Sequence, residues 1–258
     1  MTLKKKLLTK KYIIMKLKFI TCSGTNEHTD ISALVDLLTE FPNAEAGIQV
    51  WGEKCSFHLP RYHWIKALHS YLNDRKQTVN LATHINRDWV EGFCSGSLAP
   101  ELEEILNLRD YQGQKFIRRI QLNFKIGREK APDINKLATM IKQFPEQRII
   151  LSHNPANAEL IRQIYQQNII FDTLFDASFG AGILPDRREV PVFIDRLQGY
   201  AGGLGPDNIA SELDKIAAVV PWNAEIYVDA QGRLENDDRH LSIEKCRRFI
   251  TNALNWQP

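Results

Sequence analysis

The chain is poor in most features that mark a specialised class. Its four cysteines among 258 residues, Cys22, Cys55, Cys94 and Cys246, are scattered and form no C-x-x-C pair, which speaks against a zinc knuckle or a disulfide framework and fits a reducing cytoplasm. No window of about 18 apolar residues occurs, so no membrane-spanning helix is expected. The apolar residues near the start come in short pieces such as Leu7-Leu8, interrupted by lysines, and no signal-peptide core is present. Charge of one sign is lacking too. The formal net charge is +2, yet Lys4, Lys5, Lys6, Lys10 and Lys11 supply +5 of it, and the rest carries −3. Without a clustered basic face, nucleic acid is not an expected partner. Residues 1–14 read as a basic extension ahead of a single domain, 15–258.

What is present is an alternation. Short β-rich runs at 16–22, 45–51, 78–84, 116–123, 148–153, 171–176, one ending at 201–203, and 225–229 alternate with helical patterns at 30–40, 98–108, 132–144, 155–166, 207–220 and 242–255. Eight such units in about 250 residues are the count of a closed (β/α)8 TIM barrel, an α/β fold that forms one domain at this length. A doubly wound open sheet has the same elements, but no glycine-rich dinucleotide fingerprint follows the first strand. The sixth unit is irregular: PDRREVPVFIDRLQ, 185–198, is interrupted by proline and carries no amphipathic helix.

In a parallel barrel the chemistry sits at the carboxyl ends of the strands. Those ends are Cys22, Trp51, His84, Asn123, His153, Asp176, Gly202 with Gly203, and Asp229. The most specific stretch is GYAGGLGPDNI, 199–209. A glycine pair ends the strand and Pro206-Asp207-Asn208 opens a helix, a pattern suited to phosphate because the backbone can approach closely and helix-start N–H groups face the anion. A second glycine turn around Gly232 follows the last strand, and loops seven and eight are where barrels commonly hold phosphate. Ordinary turns needing positive φ would carry the same glycines.

These residues carry a family resemblance. AGGLGPDNI resembles the AGGLNPENV element of phosphoribosylanthranilate isomerase. Ile20-Thr21-Cys22-Ser23-Gly24 resembles that family's K-I-C-G, Leu59-Pro60-Arg61-Tyr62 its S-P-R-Y, Gln121-Leu122-Asn123 its Q-L-H, and Leu174-Phe175-Asp176 with Gly180-Ala181-Gly182 its L-L-D and glycine-rich continuation. The resemblance spans about residues 16–250. It departs in the eighth-strand loop DAQGRLE, which lacks consecutive Ser-Gly, and in Asn123, where the family has His.

The resemblance implies a cofactor-free, metal-free Amadori rearrangement of an N-substituted 5-phosphoribosylamine, as in tryptophan biosynthesis, by a monomer or homodimer acting on a phosphorylated sugar. It implies Cys22 as general base and Asp176 as general acid, Arg61 and Asn123 as substrate-binding, and Gly202, Gly203, Gly205, Asn208 and Gly232 as phosphate-binding. Two other readings stay open. One is a sugar-phosphate-binding barrel without isomerase activity. The other is an aldolase or hydrolase, metal-dependent through His84, His153 and Asp229, or using Lys125 for a Schiff base.

Overall fold

A computed structural model of the chain describes residues 15–124, 132–176, 178 and 180–257. The extension at 1–14 and Lys125 lie outside the described residues.

Eight strands pair in chain order and close into an all-parallel barrel: β1 (Lys16–Thr25), β2 (Ala44–Val50), β3 (Asn80–Ile85), β4 (Arg119–Leu122), β5 (Arg148–His153), β6 (Asp172–Phe175), β7 (Gln198–Tyr200) and β8 (Glu225–Ala230). Closure is by β8 on β1, with Thr21 opposite Asp229 and Cys22 opposite Ala230. The expected TIM barrel is therefore present, and closure removes the open-sheet alternative.

The outer layer is made by α1 (Ile31–Glu40), the single turn α2 (Gly52–Cys55), α3 (Pro60–Asp74), α4 (Asp88–Ser95), α5 (Pro100–Asn107), α6 (Ile134–Lys142), α7 (Ala158–Gln166), α8 (Ile209–Ala217) and α9 (Ile243–Leu254). Their starts follow local chemistry. Asp30, Asp133 and Ser242 cap α1, α6 and α9 by accepting free backbone N–H groups, and α3 and α5 begin with proline, which has no N–H to leave unpaired. The stretch after β3 folds as α4, with Trp89, Val90, Phe93 and Cys94 buried.

No helix joins β6 to β7 among the described residues. The irregular segment anticipated at 185–198 takes that place and is pinned from inside. Buried Arg188 donates to Glu212 of α8 at 2.7 and 2.9 Å and to the Ala201 carbonyl at 2.8 Å, while Phe193 packs on Tyr165 with ring centroids 4.6 Å apart. A salt bridge and one aromatic anchor thus replace the missing helix.

Strand side chains alternate between the barrel interior and the helix layer. The floor of the interior is ionic: Arg119 donates to Glu45 at 2.7 Å, Thr21 donates to the same Glu45 oxygen at 2.8 Å, and the Arg119 guanidinium lies 4.1 Å from the Tyr227 ring centroid. Asp172 faces the same cation, and burial pushes its carboxyl up to about 6 although Arg119 pulls it the other way. Gly199 is obligatory here, because a Cβ on it would fall 2.1 Å from Tyr227 Cζ.

Candidate active site

Above this floor a cavity of about 700 Å³ opens at the carboxyl ends of the strands, the side on which barrel enzymes work. Four carboxylates line it, Asp176 and Asp229 at the strand ends and Glu235 and Asp237 in the loop after β8. Asp176, just past β6, accepts from Ser178 N at 3.0 Å, Ser178 Oγ at 2.7 Å and Gly180 N at 2.7 Å, so every hydrogen bond to it has the carboxylate as acceptor. Asp229, on β8, accepts from Ser23 Oγ at 2.5 Å. Burial pushes Asp229 up to about 7; the Ser23 hydrogen bond opposes this, and the negative charge of Asp176 adds to it.

His84 on β3 completes the deep end. Its Nε2 lies 3.9 Å from Asp229 Oδ2, and burial lowers its pKa to about 4, so the ring is neutral at physiological pH. A long 3.4 Å contact from Gln121 Nε2 reaches its Nδ1, which as an acceptor leaves the ring proton on Nε2. That Nε2 and Gln121 Oε1 are buried without a hydrogen-bond partner among the described residues. Room for the cluster comes from Gly47, where a Cβ would sit 2.5 Å from Ser23 Oγ and 2.9 Å from His84 Nε2.

The opposite side, at β7 and β8, carries backbone donors and two arginines. Gly202 and Gly203 take φ of +84° and +65° and line the cavity with Gly232. The backbone N–H groups of all three have no partner among the described residues. Arg233 and Arg239 line the same mouth, and among the described residues neither makes an ion pair. Unpaired N–H groups and two guanidinium ions are the donors an anion needs, and Glu235 and Asp237 of the same loop line the mouth with the opposite charge.

The structure separates the expected residues into those at the cavity and those elsewhere. Asp176, Asn123, Gly202, Gly203 and Gly232 line it. Cys22 does not. It is 0% exposed, points into the helix layer, and its contact with Cys246 of α9, together with burial, pushes the thiol well above its ordinary value. The reason is strand alternation: Thr21 and Ser23 face inward, so Cys22 between them faces out. Arg61 is also diverted. It is buried against Glu27 at 2.6 Å and the Gln49 carbonyl at 3.1 Å, outside the cavity lining. Gly205 and Asn208 build the loop instead of lining it: Asn208 accepts from Gly205 N at 2.8 Å and donates to the Gly203 carbonyl at 2.9 Å, while the absent Cβ of Gly205 leaves space for the Arg233 stem.

The metal constellation is not assembled. The His153 ring packs against Phe175 and Phe193, apart from His84 and Asp229, and no group of three metal-ligating side chains occurs among the described residues. Sequence reading had no hold on Gly47, Gln121, Arg233 or Arg239 as site residues. The basic residues flanking the short acidic run after Gly232 were the one signal for the two arginines.

Comparison with known proteins bears on the fold. No protein-family model matches the chain, and no curated protein matches it by sequence. Among solved structures, phosphoribosyl anthranilate isomerase from Thermotoga maritima is similar at TM-score 0.54 and 15% identity, over 92% of this chain and 99% of that one. The corresponding enzyme from Thermus thermophilus gives 0.54 and 16%, over 92% and 98%. A glycoside hydrolase family 30 xylanase from Clostridium acetobutylicum gives 0.53 and 10%, over 92% of this chain and 70% of that one. At these identities the likeness is one of fold. No helix among the described residues is long and apolar enough to cross a membrane.

Proposed function

We propose that the protein is a cofactor-independent isomerase of phosphorylated sugars, of the Amadori type that the phosphoribosylanthranilate isomerase-like fold and the strand-end motifs suggest. The carrying observation is the coexistence in one cavity of the two strand-end carboxylates, Asp176 and Asp229, and unsatisfied donors that would cradle a phosphate at Gly202, Gly203, Gly232, Arg233 and Arg239.

The chemistry asks for one acid and one base. Asp229, with its carboxyl near 7, holds a proton for part of the time at neutral pH and is the acid in this reading; Asp176, surrounded by donors, is the base. This reverses the acid role first expected for Asp176 and replaces Cys22. With the phosphate in the cradle, Asp229 gives its proton to the furanose oxygen as the C1–O bond breaks and an iminium forms. Asp176 then takes the C2 proton, and the C–H electron pair becomes the C1–C2 double bond of an enolamine. Asp176 returns that proton to C1 as the 2-hydroxyl becomes a carbonyl and yields its proton to Asp229. Both carboxyl groups are restored and no electrons leave the substrate.

The test is turnover of 5-phosphoribosylamines formed from ribose 5-phosphate and aryl amines, followed by fluorescence and by proton NMR of the 1-deoxyketose. Formation of that product, abolished in Asp176→Asn, supports the reading. Binding of inorganic phosphate without turnover of any amine adduct favours the sugar-phosphate-binding barrel instead.

A further inference from the structure

Three side-chain amides on the β3 and β4 side of the cavity form a directional chain anchored on a carbonyl. Asn86 Nδ2 donates to the His84 carbonyl at 2.8 Å, Asn123 Nδ2 donates to Asn86 Oδ1 at 2.9 Å, and Gln121 Nε2 donates to Asn123 Oδ1 at 2.9 Å. A backbone carbonyl can only accept, so Asn86 presents its nitrogen there and its oxygen to Asn123, and the same choice passes on to Gln121. Gln121 therefore turns a nitrogen toward His84 Nδ1, 3.4 Å away. Facing a donor, Nδ1 keeps its lone pair, and the ring proton is carried on Nε2.

That Nε2 has a carboxylate oxygen across from it. Asp229 Oδ2 lies 3.9 Å away, beyond hydrogen-bond length, while Asp229 Oδ1 is taken by Ser23. Gly47 keeps the space between them clear, since a Cβ there would sit 2.9 Å from His84 Nε2. Neither His84 Nε2 nor Asp229 Oδ2 has a hydrogen-bond partner among the described residues, and His84 is 3% exposed, so bulk water does not serve Nε2. A gap of this length suits a protonated Asp229, because a proton on Oδ2 and the one on Nε2 would meet head on. Once Oδ2 has given its proton away it is a buried anion facing a buried donor, and a small turn of the imidazole joins them. The charged groups acting on Asp229 are Asp176, past β6, and Arg119 on β4; Tyr227 on its own strand and Cys22 on β1 feel its charge, and Glu45 and Arg119 act on His84.

Resting on the isomerase reading above, we propose that His84 is a positioning residue for Asp229: the amide chain holds its neutral ring in the Nε2–H form, and that N–H donates to Oδ2 as the carboxyl gives its proton to the substrate. The ring itself neither gains nor loses a proton. A neutral donor stabilises the new carboxylate without competing with it as an acid.

Nitrogen NMR of the histidine rings, with His84 assigned by comparison with His84→Gln, reads the first half of the proposal. The neutral Nε2–H form is expected at pH 7; the Nδ1–H form or a charged ring overturns it. Methionine and glutamine, similar in length and differing in the donor, read the second half in variants whose folding is checked by circular dichroism. Followed by carboxyl carbon NMR, Asp229 is expected to titrate about one pH unit higher in His84→Met than in the parent, and His84→Gln to restore it to within about half a unit. The alkaline limb of kcat/KM moves with it, and its plateau falls about tenfold in His84→Met and recovers to within about threefold in His84→Gln. Equal titration and equal rates in the two variants would mean that the ring only fills space, and overturn the proposal. The expected titrations without turnover of any amine adduct by the parent would sink the isomerase reading and leave the hold of His84 on Asp229 standing.

Discussion

Ser23 Oγ donates to Asp229 Oδ1 at 2.5 Å, tying the end of β1 to the end of β8 across the seam where the barrel closes. The hydroxyl holds one carboxylate oxygen and leaves the other directed toward His84. Asp229 is thereby oriented in the cavity, and burial keeps its carboxyl near 7 although the Ser23 hydrogen bond and the Arg119 charge pull it down.

That value gives a pH signature. With Asp229 as the acid, kcat/KM falls as pH rises through about 7, and Asp229→Asn lowers it by about 10²- to 10⁴-fold. A pH–rate profile of parent and variant checks both. A rate that instead rises through 7 would exchange the roles of Asp229 and Asp176.

The same burial costs stability. Between the ordinary value of 3.8 and about 7 the folded chain keeps a proton on Asp229 that the unfolded chain has lost, so stability falls as pH rises across that range. At about 1.4 kcal/mol per pH unit the penalty reaches at most about 4 kcal/mol above pH 7. Asp229→Asn should therefore be more stable than the parent at pH 8 by urea unfolding, with the gain gone by pH 4. His84 works in the opposite direction: lowered from 6.5 to about 4, it costs stability as pH falls through that window, and the variant exposes this loss because Asp229 no longer offsets it.

Cys22→Ala is expected to leave kcat within about threefold of the parent. The change removes a sulfur atom from the layer between β1 and α9, where the cost is a small cavity of about 1–2 kcal/mol, read as a lower urea midpoint. Loss of turnover on the scale of a missing base would return Cys22 to the site.

Gly47→Ala places a methyl group 2.5 Å from Ser23 Oγ and 2.9 Å from His84 Nε2. Repacking of the two polar side chains should lower kcat/KM about tenfold or more and stability by about 1–3 kcal/mol. Steady-state kinetics beside thermal unfolding checks this; unaltered kinetics would mean that the Ser23, His84 and Asp229 arrangement is not needed.

Arg233→Met and Arg239→Met should each weaken inorganic phosphate binding by about tenfold and flatten its dependence on salt, since both guanidinium ions lack an internal partner among the described residues. Isothermal titration at two ionic strengths measures it. An unchanged affinity in both variants would place the phosphate elsewhere.

The sequence by itself determined the barrel. Eight β-rich runs separated by amphipathic stretches, with capping residues such as Asp30, Asp133 and Ser242 at the helix starts, are local patterns that act within one turn or one strand. The glycines at 202 and 203 were legible for the same reason, because positive φ is a property of a few adjacent residues; Gly232 takes no positive φ, and a Cβ on it would meet nothing within 4 Å. The catalytic assignment depended on more than local pattern. Strand side chains alternate, and the one-residue difference between Cys22 and Ser23 decides which faces the cavity and which packs on Cys246. Arg61 was consumed by Glu27, 34 positions earlier in the chain, and Asp229 acquired its raised value from burial and from Asp176, just past β6. The order of amides from Gln121 to Asn86 joins β4 to the loop after β3, and its contact with the His84 ring exists only once the barrel has closed around it. Partners distant in sequence and exclusion of water are set by tertiary packing, and these determine the charge and hydrogen-bonding state of every group at the site.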